Sequence, residues 1–404
     1  MKRFIALFAV LTLSLSLGIH SYATETKGIY PVEYEVLQSW AEKDAADSAE
    51  TATLSGDFKA KATLLMEAST GKILHANNEN EKLPIASVTK IMVTLLICEA
   101  IDSGKIALSD TVSVSEYASS MGGSQVYLEP GEQMSVDELL KCLIVVSAND
   151  ASVALAEHIY GSEESFINAM NDRAAALGMK NTSFVNTTGL DTEGHYSSAL
   201  DVALMTRELL KHEVVFNYTT IWMDTIRNGA FGLSNTNKLI RFYNGANGMK
   251  TGFTTDAMYC LSGTALRDGM QLIAVVLGGT SSDDRFAAAK KMLDFGFANY
   301  RVIVPESEPL QPLSVKGATV STVEIEYTAP SLLAEKGAGT IEKKITLPEN
   351  LKAPLSVGDE VGRVSFVIGD SEIASVPIVC KTEAKPITFA SLLGKIWEKI
   401  ASFI

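Results

Sequence analysis

The sequence predicts an α+β protein. A main domain has helices flanking an antiparallel sheet plus an all-helical region. A small all-β domain and a C-terminal amphipathic helix follow. Three observations carry this expectation. Strand-like runs open and close residues 57–300 with helical runs between them, which puts N- and C-terminal segments into one antiparallel sheet. Over residues 302–380, prolines (Pro305, Pro309, Pro312, Pro330, Pro348, Pro354 and Pro377) and short β-rich runs replace the helical pattern. Finally, Phe389, Leu392, Leu393, Ile396, Ile400, Phe403 and Ile404 form one apolar stripe at helical spacing, bordered by Trp397. At 404 residues, two or more domains are expected.

Taken in order, Met1-Lys2-Arg3 and the mostly apolar residues 4–19 precede Ser21-Tyr22-Ala23, whose small first and last residues suit a signal peptidase. Residues 1–23 therefore read as a secretory signal peptide. Residues 24–56 form a lead-in with Tyr30, Tyr34 and Trp40, then a polar linker. Apolar runs at 62–66 and 72–75 flank Ser69-Thr70-Gly71, a hairpin signal. A buried helix starts near Ser87, and residues 136–159 are apolar at helical spacing. A helix over 166–177 ends at Gly178, residues 181–197 form a long loop, and a helix follows over 198–212. Strands are expected at 239–242, 258–266 and 271–277, and a helix over 283–297 closes the domain at residue 300. The β domain spans 301–381. The terminal segment 382–404 is too short and polar to span a bilayer and suits lying in its interface.

The chain carries 34 Lys+Arg against 48 Asp+Glu, a net charge of −14, which argues against a nucleic-acid partner. Cys98, Cys142, Cys260 and Cys380 are widely spaced in apolar surroundings and read as buried free thiols. No C-x-x-C pair implies a metal knuckle, and no cofactor is expected.

The chemistry centres on Pro84-Ile85-Ala86-Ser87-Val88-Thr89-Lys90. Residues three apart share a helix face, so Ser87 and Lys90 can touch. They do so at a helix start, where free N–H groups favour developing negative charge. A hydroxyl beside an amine there fits a serine nucleophile with a lysine base. About one or two S-x-x-K matches arise by chance in a chain of this length. Ser69-Thr70-Gly71-Lys72 is such a copy, in a hairpin turn where Ser and Gly need no functional reason. Ser147-Ala148-Asn149, in a helical region, and Lys250-Thr251-Gly252, entering a strand after the loop 244–249, follow Ser87 in the chain. The ordered set S-x-x-K, S-x-N and K-T-G is the signature of β-lactamases and penicillin-binding proteins, here with Ala148 where Asp is common. No histidine accompanies a G-x-S-x-G serine, which disfavours a Ser-His-Asp triad. His195 reads as structural.

With these motifs the chain resembles the penicillin-binding D-alanyl-D-alanine carboxypeptidases. The likeness extends to Gly189-Leu190-Asp191, Gly194-His195-Tyr196-Ser197-Ser198 and Asn235-Thr236-Asn237-Lys238-Leu239. The resemblance implies a β-lactamase/transpeptidase-like domain. It implies Ser87 as nucleophile, Lys90 as base, Ser147 as proton relay and Asn149 as the group orienting Lys90 and the substrate amide. Lys250, Thr251, Gly252, Phe253 and Arg285 would bind substrate, with the N–H groups of Ser87 and Phe253 as oxyanion hole and Arg285 on the terminal carboxylate. The partners it implies are a peptidoglycan stem peptide ending in D-Ala-D-Ala and β-lactam antibiotics, together with the membrane surface through the C-terminal helix, on the outer, wall side of the cytoplasmic membrane.

Two rivals stand beside this reading. A β-lactamase shares the three motifs and needs a glutamate for deacylation; Glu164-Ser165-Phe166-Ile167-Asn168 superficially resembles that loop but merges with a helical pattern. A secreted pseudo-enzyme would bind the same ligands without turnover, and its usual sign, a broken motif, is missing here. Transpeptidation by amine attack on the acyl-enzyme stays within the same chemistry.

Overall fold

The computed structural model describes residues 54, 56–390, 393, 394 and 397. The expected signal peptide, nearly all of the lead-in and most of the apolar stripe beyond residue 390 lie outside the described residues. Of that stripe and its border, Phe389, Leu393 and Trp397 are described, and all three are exposed.

The main domain is built on a five-stranded antiparallel sheet. Its strands are β1 (Ala62–Glu67), β2 (Ile73–Asn77), β3 (Ala246–Thr254), β4 (Met258–Arg267) and β5 (Met270–Gly279). Their order is β2-β1-β5-β4-β3, so β1 from the start of the domain pairs with β5 from its end. β3 is left as an outer strand. Alternation along the strands sorts residues to two faces. Leu65 with Leu272, Ala274 and Val276 packs under α6 (Ser282–Asn299). Leu64 and Met66 with Ile273, Val275 and Leu277 face the larger, helical core.

That core surrounds α1 (Lys90–Asp102), which is buried on nearly every side and mostly apolar, with Lys90 the buried charge at its start. Around it stand α2 (Val136–Val145), α3 (Asn149–Tyr160), α4 (Glu163–Ala176) and α5 (Ala199–Leu209). Several helices open on a serine cap. Ser135 Oγ accepts from Glu138 N–H and its hydroxyl donates to the Glu138 carboxylate, and Ser162, Ser198 and Ser281 cap α4, α5 and α6.

Two local expectations are corrected. Leu239–Phe242 is a short helix, not a strand: Asn237 Oδ1 accepts the Leu239 N–H and starts a helical turn. The apolar stretch 136–159 is not one helix but two, broken where Ser147 takes a left-handed φ of 66°.

Beyond α6, a four-stranded sheet (Ile325–Glu326, Ser371–Cys380, Glu360–Ile368 and Ile341–Thr346) packs on a three-stranded one around Val315, Val364, Phe366 and Ile378. This is the expected all-β domain. The four cysteines are buried and free.

Candidate active site

Ser87 sits in a tight 3-10 turn, Ala86–Thr89, that runs straight into α1. Ala86 holds φ at 49°, a strained value for a residue with a Cβ, and sets the sharp entry to the turn. Thr89 Oγ1 donates to Ala86 O (2.8 Å) and closes the turn from inside, while His195 Nε2 lies 2.7 Å from the same hydroxyl. Burial lowers the His195 pKa to about 4, so the ring is neutral at physiological pH and packs as structure.

Lys90 follows one turn later and is fully buried. Its Nζ lies 3.1 Å from Ser87 Oγ, 2.6 Å from Asn149 Oδ1 and 2.7 Å from the Thr188 carbonyl oxygen. Two of these partners can only accept. A neutral amine has two N–H bonds and one lone pair, so donating to Asn149 and Thr188 turns the lone pair toward the one partner able to donate, Ser87 O–H. Burial, reinforced by the nearby Lys250 charge, holds the Lys90 pKa well below its ordinary value, against an opposing pull from Asp150.

Ser147 and Asn149 come from the break between α2 and α3. Ser147 Oγ is buried, with no hydrogen-bond partner among the described residues. A buried hydroxyl costs free energy when unpaired, and its left-handed backbone adds strain; both features collect at functional sites. Asn149 bridges two segments, accepting from Lys90 and donating through Nδ2 to Gly122 O (2.6 Å).

The opposite wall is β3. Lys250 is buried, its Nζ donating to Thr251 O (2.9 Å). Burial and the Arg285 charge bring its pKa down to about 7. Thr251 Oγ1 lies 2.7 Å from Thr236 Oγ1. Gly252 lies against the Ser87 backbone: a Cβ there would stand 2.8 Å from Ile85 O and 2.9 Å from Ser87 N. Only glycine lets β3 come so near the Ser87 N–H. Phe253 points its ring outward beside Tyr259, centroids 4.5 Å apart. Arg285, in the first turn of α6, is buried behind the strand rather than exposed, its Nη1 donating to Gly252 O (2.8 Å) and Cys260 O (3.1 Å).

The fold thus gathers Ser87, Lys90, Ser147, Asn149, Lys250, Thr251 and Gly252 from three separate segments. Phe253 follows Gly252 on β3, and Arg285 lies behind it. Ser69 is elsewhere, its Oγ donating to the buried Glu67 carboxylate (2.9 Å) in the β1–β2 turn. Glu164 is exposed on α4.

Sequence reasoning missed the Thr188 carbonyl. It is delivered by an Asx turn in the 181–197 loop, where Asn186 Oδ1 accepts from Thr188 N (3.2 Å) and from Gly189 N (2.7 Å). Glu163 Oε1 holds the same loop through Thr187 N (2.9 Å) and Oγ1 (2.7 Å). Asp191 ties it to β3 through Thr254 Oγ1 (2.6 Å). The Asn186…Gly189 pair was the legible trace of that turn.

An antiparallel sheet whose outer strand carries Lys-Thr-Gly beside a Ser–Lys pair defines the class that includes β-lactamases and penicillin-binding proteins. Residues 46–281 match the D-alanyl-D-alanine carboxypeptidase family, and residues 300–386 match the C-terminal domain of penicillin-binding protein 5. The chain is 43% identical over 365 residues to the D-alanyl-D-alanine carboxypeptidase DacF of Bacillus subtilis, covering 88% of this chain and 92% of that one. It is 34% identical to DacC of Escherichia coli, covering 87% and 90%. The crystal structure of penicillin binding protein 5 from Haemophilus influenzae superposes with a TM-score of 0.75 at 30% identity, over 82% of this chain and 99% of that one. The chain belongs to the D-alanyl-D-alanine carboxypeptidase family.

Proposed function

We propose that this protein removes the terminal D-alanine from peptidoglycan stem pentapeptides through an acyl-enzyme on Ser87, and that penicillin acylates the same hydroxyl. The observation that carries this reading is the Lys90 amine, 3.1 Å from Ser87 Oγ with Asn149 Oδ1 and Thr188 O as its two carbonyl acceptors; in its neutral form those two take its N–H bonds and its lone pair is left for Ser87 O–H.

Ser87 Oγ attacks the carbonyl of the penultimate D-Ala while Lys90 takes its proton. The carbonyl oxygen, now negative, is held by the N–H groups of Ser87 and Phe253, brought together by the close approach of Gly252. Ser147, poised without a partner, passes a proton from the Lys90 ammonium to the departing D-Ala amine as the C–N bond breaks. Water then attacks the ester and returns Ser87 O–H. Lys250 and Thr251, with Arg285 behind them, give the end of the cleft that receives the leaving carboxylate its positive potential. Asn149 orients Lys90 and the substrate amide.

The same reading makes residues 1–23 an export signal and residues 382–404 a membrane-surface helix, with the boundary between the two folded domains near residue 300. The protein then works on the wall side of the cytoplasmic membrane. Deleting residues 386–404 should release it from membranes with activity retained; continued association would shift the anchor to an uncleaved signal.

The deciding experiment is intact-mass analysis after penicillin, peptide mapping of the adduct, and assay of a D-Ala-D-Ala peptide. The expected result is one long-lived adduct on the peptide holding Ser87, with D-alanine released from the substrate. No released D-alanine, or an adduct on Ser69, defeats the proposal. Rapid loss of the adduct would point to a β-lactamase.

A further inference from the structure

Arg285 is a buried cation whose placement needs a cause. It is only 7% exposed. Among the described residues no carboxylate pairs with it, and its Nε has no hydrogen-bond partner. Burying an unpaired guanidinium is expensive. What holds it is a slot between aromatic rings, with the guanidinium carbon 5.3 Å from the Tyr259 centroid and 5.0 Å from that of Phe286. Within this slot Nη1 is delivered to two carbonyls at once, Gly252 O on β3 and Cys260 O on β4, which face each other in the sheet register.

Gly252 C=O and Phe253 N–H belong to one peptide unit. In a trans peptide the two point in opposite directions. With the carbonyl drawn back to Arg285, on the side of β4, the Phe253 N–H faces the other way, to the open edge of β3. Gly252 brings that same edge against Ser87 N. A charge-assisted bond on the carbonyl also polarises the amide and strengthens its N–H as a donor.

We propose that Arg285 is a positioning residue that fixes and polarises the Gly252–Phe253 peptide, so that the Phe253 N–H stands ready as a donor to the developing oxyanion. This rests on the acyl-enzyme reading above and goes beyond it. Carboxylate recognition alone would make Arg285 matter only for substrates whose leaving group is charged. Positioning of the donor makes it matter for every acyl transfer on Ser87. The Arg285 charge that lowers the Lys250 pKa is a separate, longer-range effect.

The test uses the full chain with Arg285→Gln and Arg285→Lys. Two acyl donors share the same acyl part. One is a peptide ending in D-Ala-D-Ala, and the other is the ethyl ester of the peptide ending in a single D-Ala, whose leaving group is neutral. Rates are normalised to penicillin-titratable sites, so misfolded molecules do not enter. Removing an oxyanion donor outright costs about a hundredfold or more in kcat, and weakening one should cost about tenfold. R285Q should therefore lower kcat about tenfold on both donors with little change in KM, and R285K should recover part of the loss. An ester kcat equal to that of the parent chain in R285Q, with only the peptide's KM raised, overturns the proposal. If R285Q yields no titratable sites, the ester kcat of R285K decides: a partial loss supports the proposal and an unchanged value overturns it. Failure of the unmodified chain to turn over either donor would strike the carboxypeptidase reading itself, before any variant is compared.

Discussion

Gly189 is seated directly beneath Ala86, with no room for a side chain between them. A Cβ at Gly189 would overlap the Ala86 carbonyl and approach Ser87 N to 2.9 Å. Gly189 also holds φ at 80°, where a Cβ is strained. The contact joins the 181–197 loop to the turn that carries Ser87, next to the Thr188 carbonyl on Lys90. Gly189→Ala should therefore cost about 1–3 kcal/mol of stability from backbone strain alone. It should slow penicillin acylation of Ser87 at least tenfold by pushing the turn away. Thermal melting and acylation kinetics check this; an acylation rate equal to the parent's would show that the turn tolerates the displacement.

The two S-x-x-K copies separate by environment. Ser87→Ala should abolish penicillin labelling. Ser69→Ala removes a hydroxyl from the Glu67 carboxylate, which keeps its bonds from Ser69 N (2.9 Å) and Thr70 N (2.8 Å). The expected cost is about 1 kcal/mol of stability, with labelling intact. Equal loss of label in both variants would mean that the site depends on the β1–β2 turn.

Side-chain identity made part of this site readable from sequence. Ser87 and Lys90 lie three apart at a helix start, and Lys250-Thr251-Gly252 sits in a strand. The strands at 62–66, 258–266 and 271–277 followed from β-rich runs bounded by turn residues. Elsewhere the signal was too short or carried by backbone. Leu239–Phe242 is four residues long, which cannot separate a two-residue from a 3.6-residue period. The break at Ser147 falls in a stretch of helical spacing with no glycine or proline to mark it, because the fold imposes its left-handed turn on a serine. A carbonyl such as that of Thr188 has no sequence identity at all. Arg285 was found, but its contacts with Gly252 and Cys260 required the sheet register.

Asp150, next to Asn149, is the hidden support of the cleft's other wall. Its buried carboxylate accepts from Val126 N (3.1 Å), Leu128 N (3.1 Å) and Ala151 N (2.9 Å). Asp150→Asn puts N–H donors where two more donors already point, so the protein should lose about 1–3 kcal/mol of stability, read from chemical denaturation. Asp150 also opposes the depression of the Lys90 pKa. Its neutralisation should move the acidic limb of the acylation rate to lower pH, and a limb that stays in place would assign that titration to another group.

Lys250 makes the basic side of the pH profile specific. Its pKa is lowered to about 7 by burial and by Arg285, so in the free protein its charge is lost as pH rises through that value. The unfolded chain keeps this proton up to the ordinary lysine value of about 10.4. Between the two values the unfolded state binds more protons, and the residue's contribution to stability rises with pH. Activity has the opposite sign if the charge receives a carboxylate. For a peptide ending in D-Ala-D-Ala, kcat/KM reports the free enzyme and should fall above about pH 7. Lys250→Arg keeps the charge at every accessible pH, so that basic limb should disappear, at a cost in rate because a planar fork replaces a compact ammonium. The measurement is the pH dependence of kcat/KM for both chains. A basic limb that persists unchanged in K250R would locate it in a group other than Lys250.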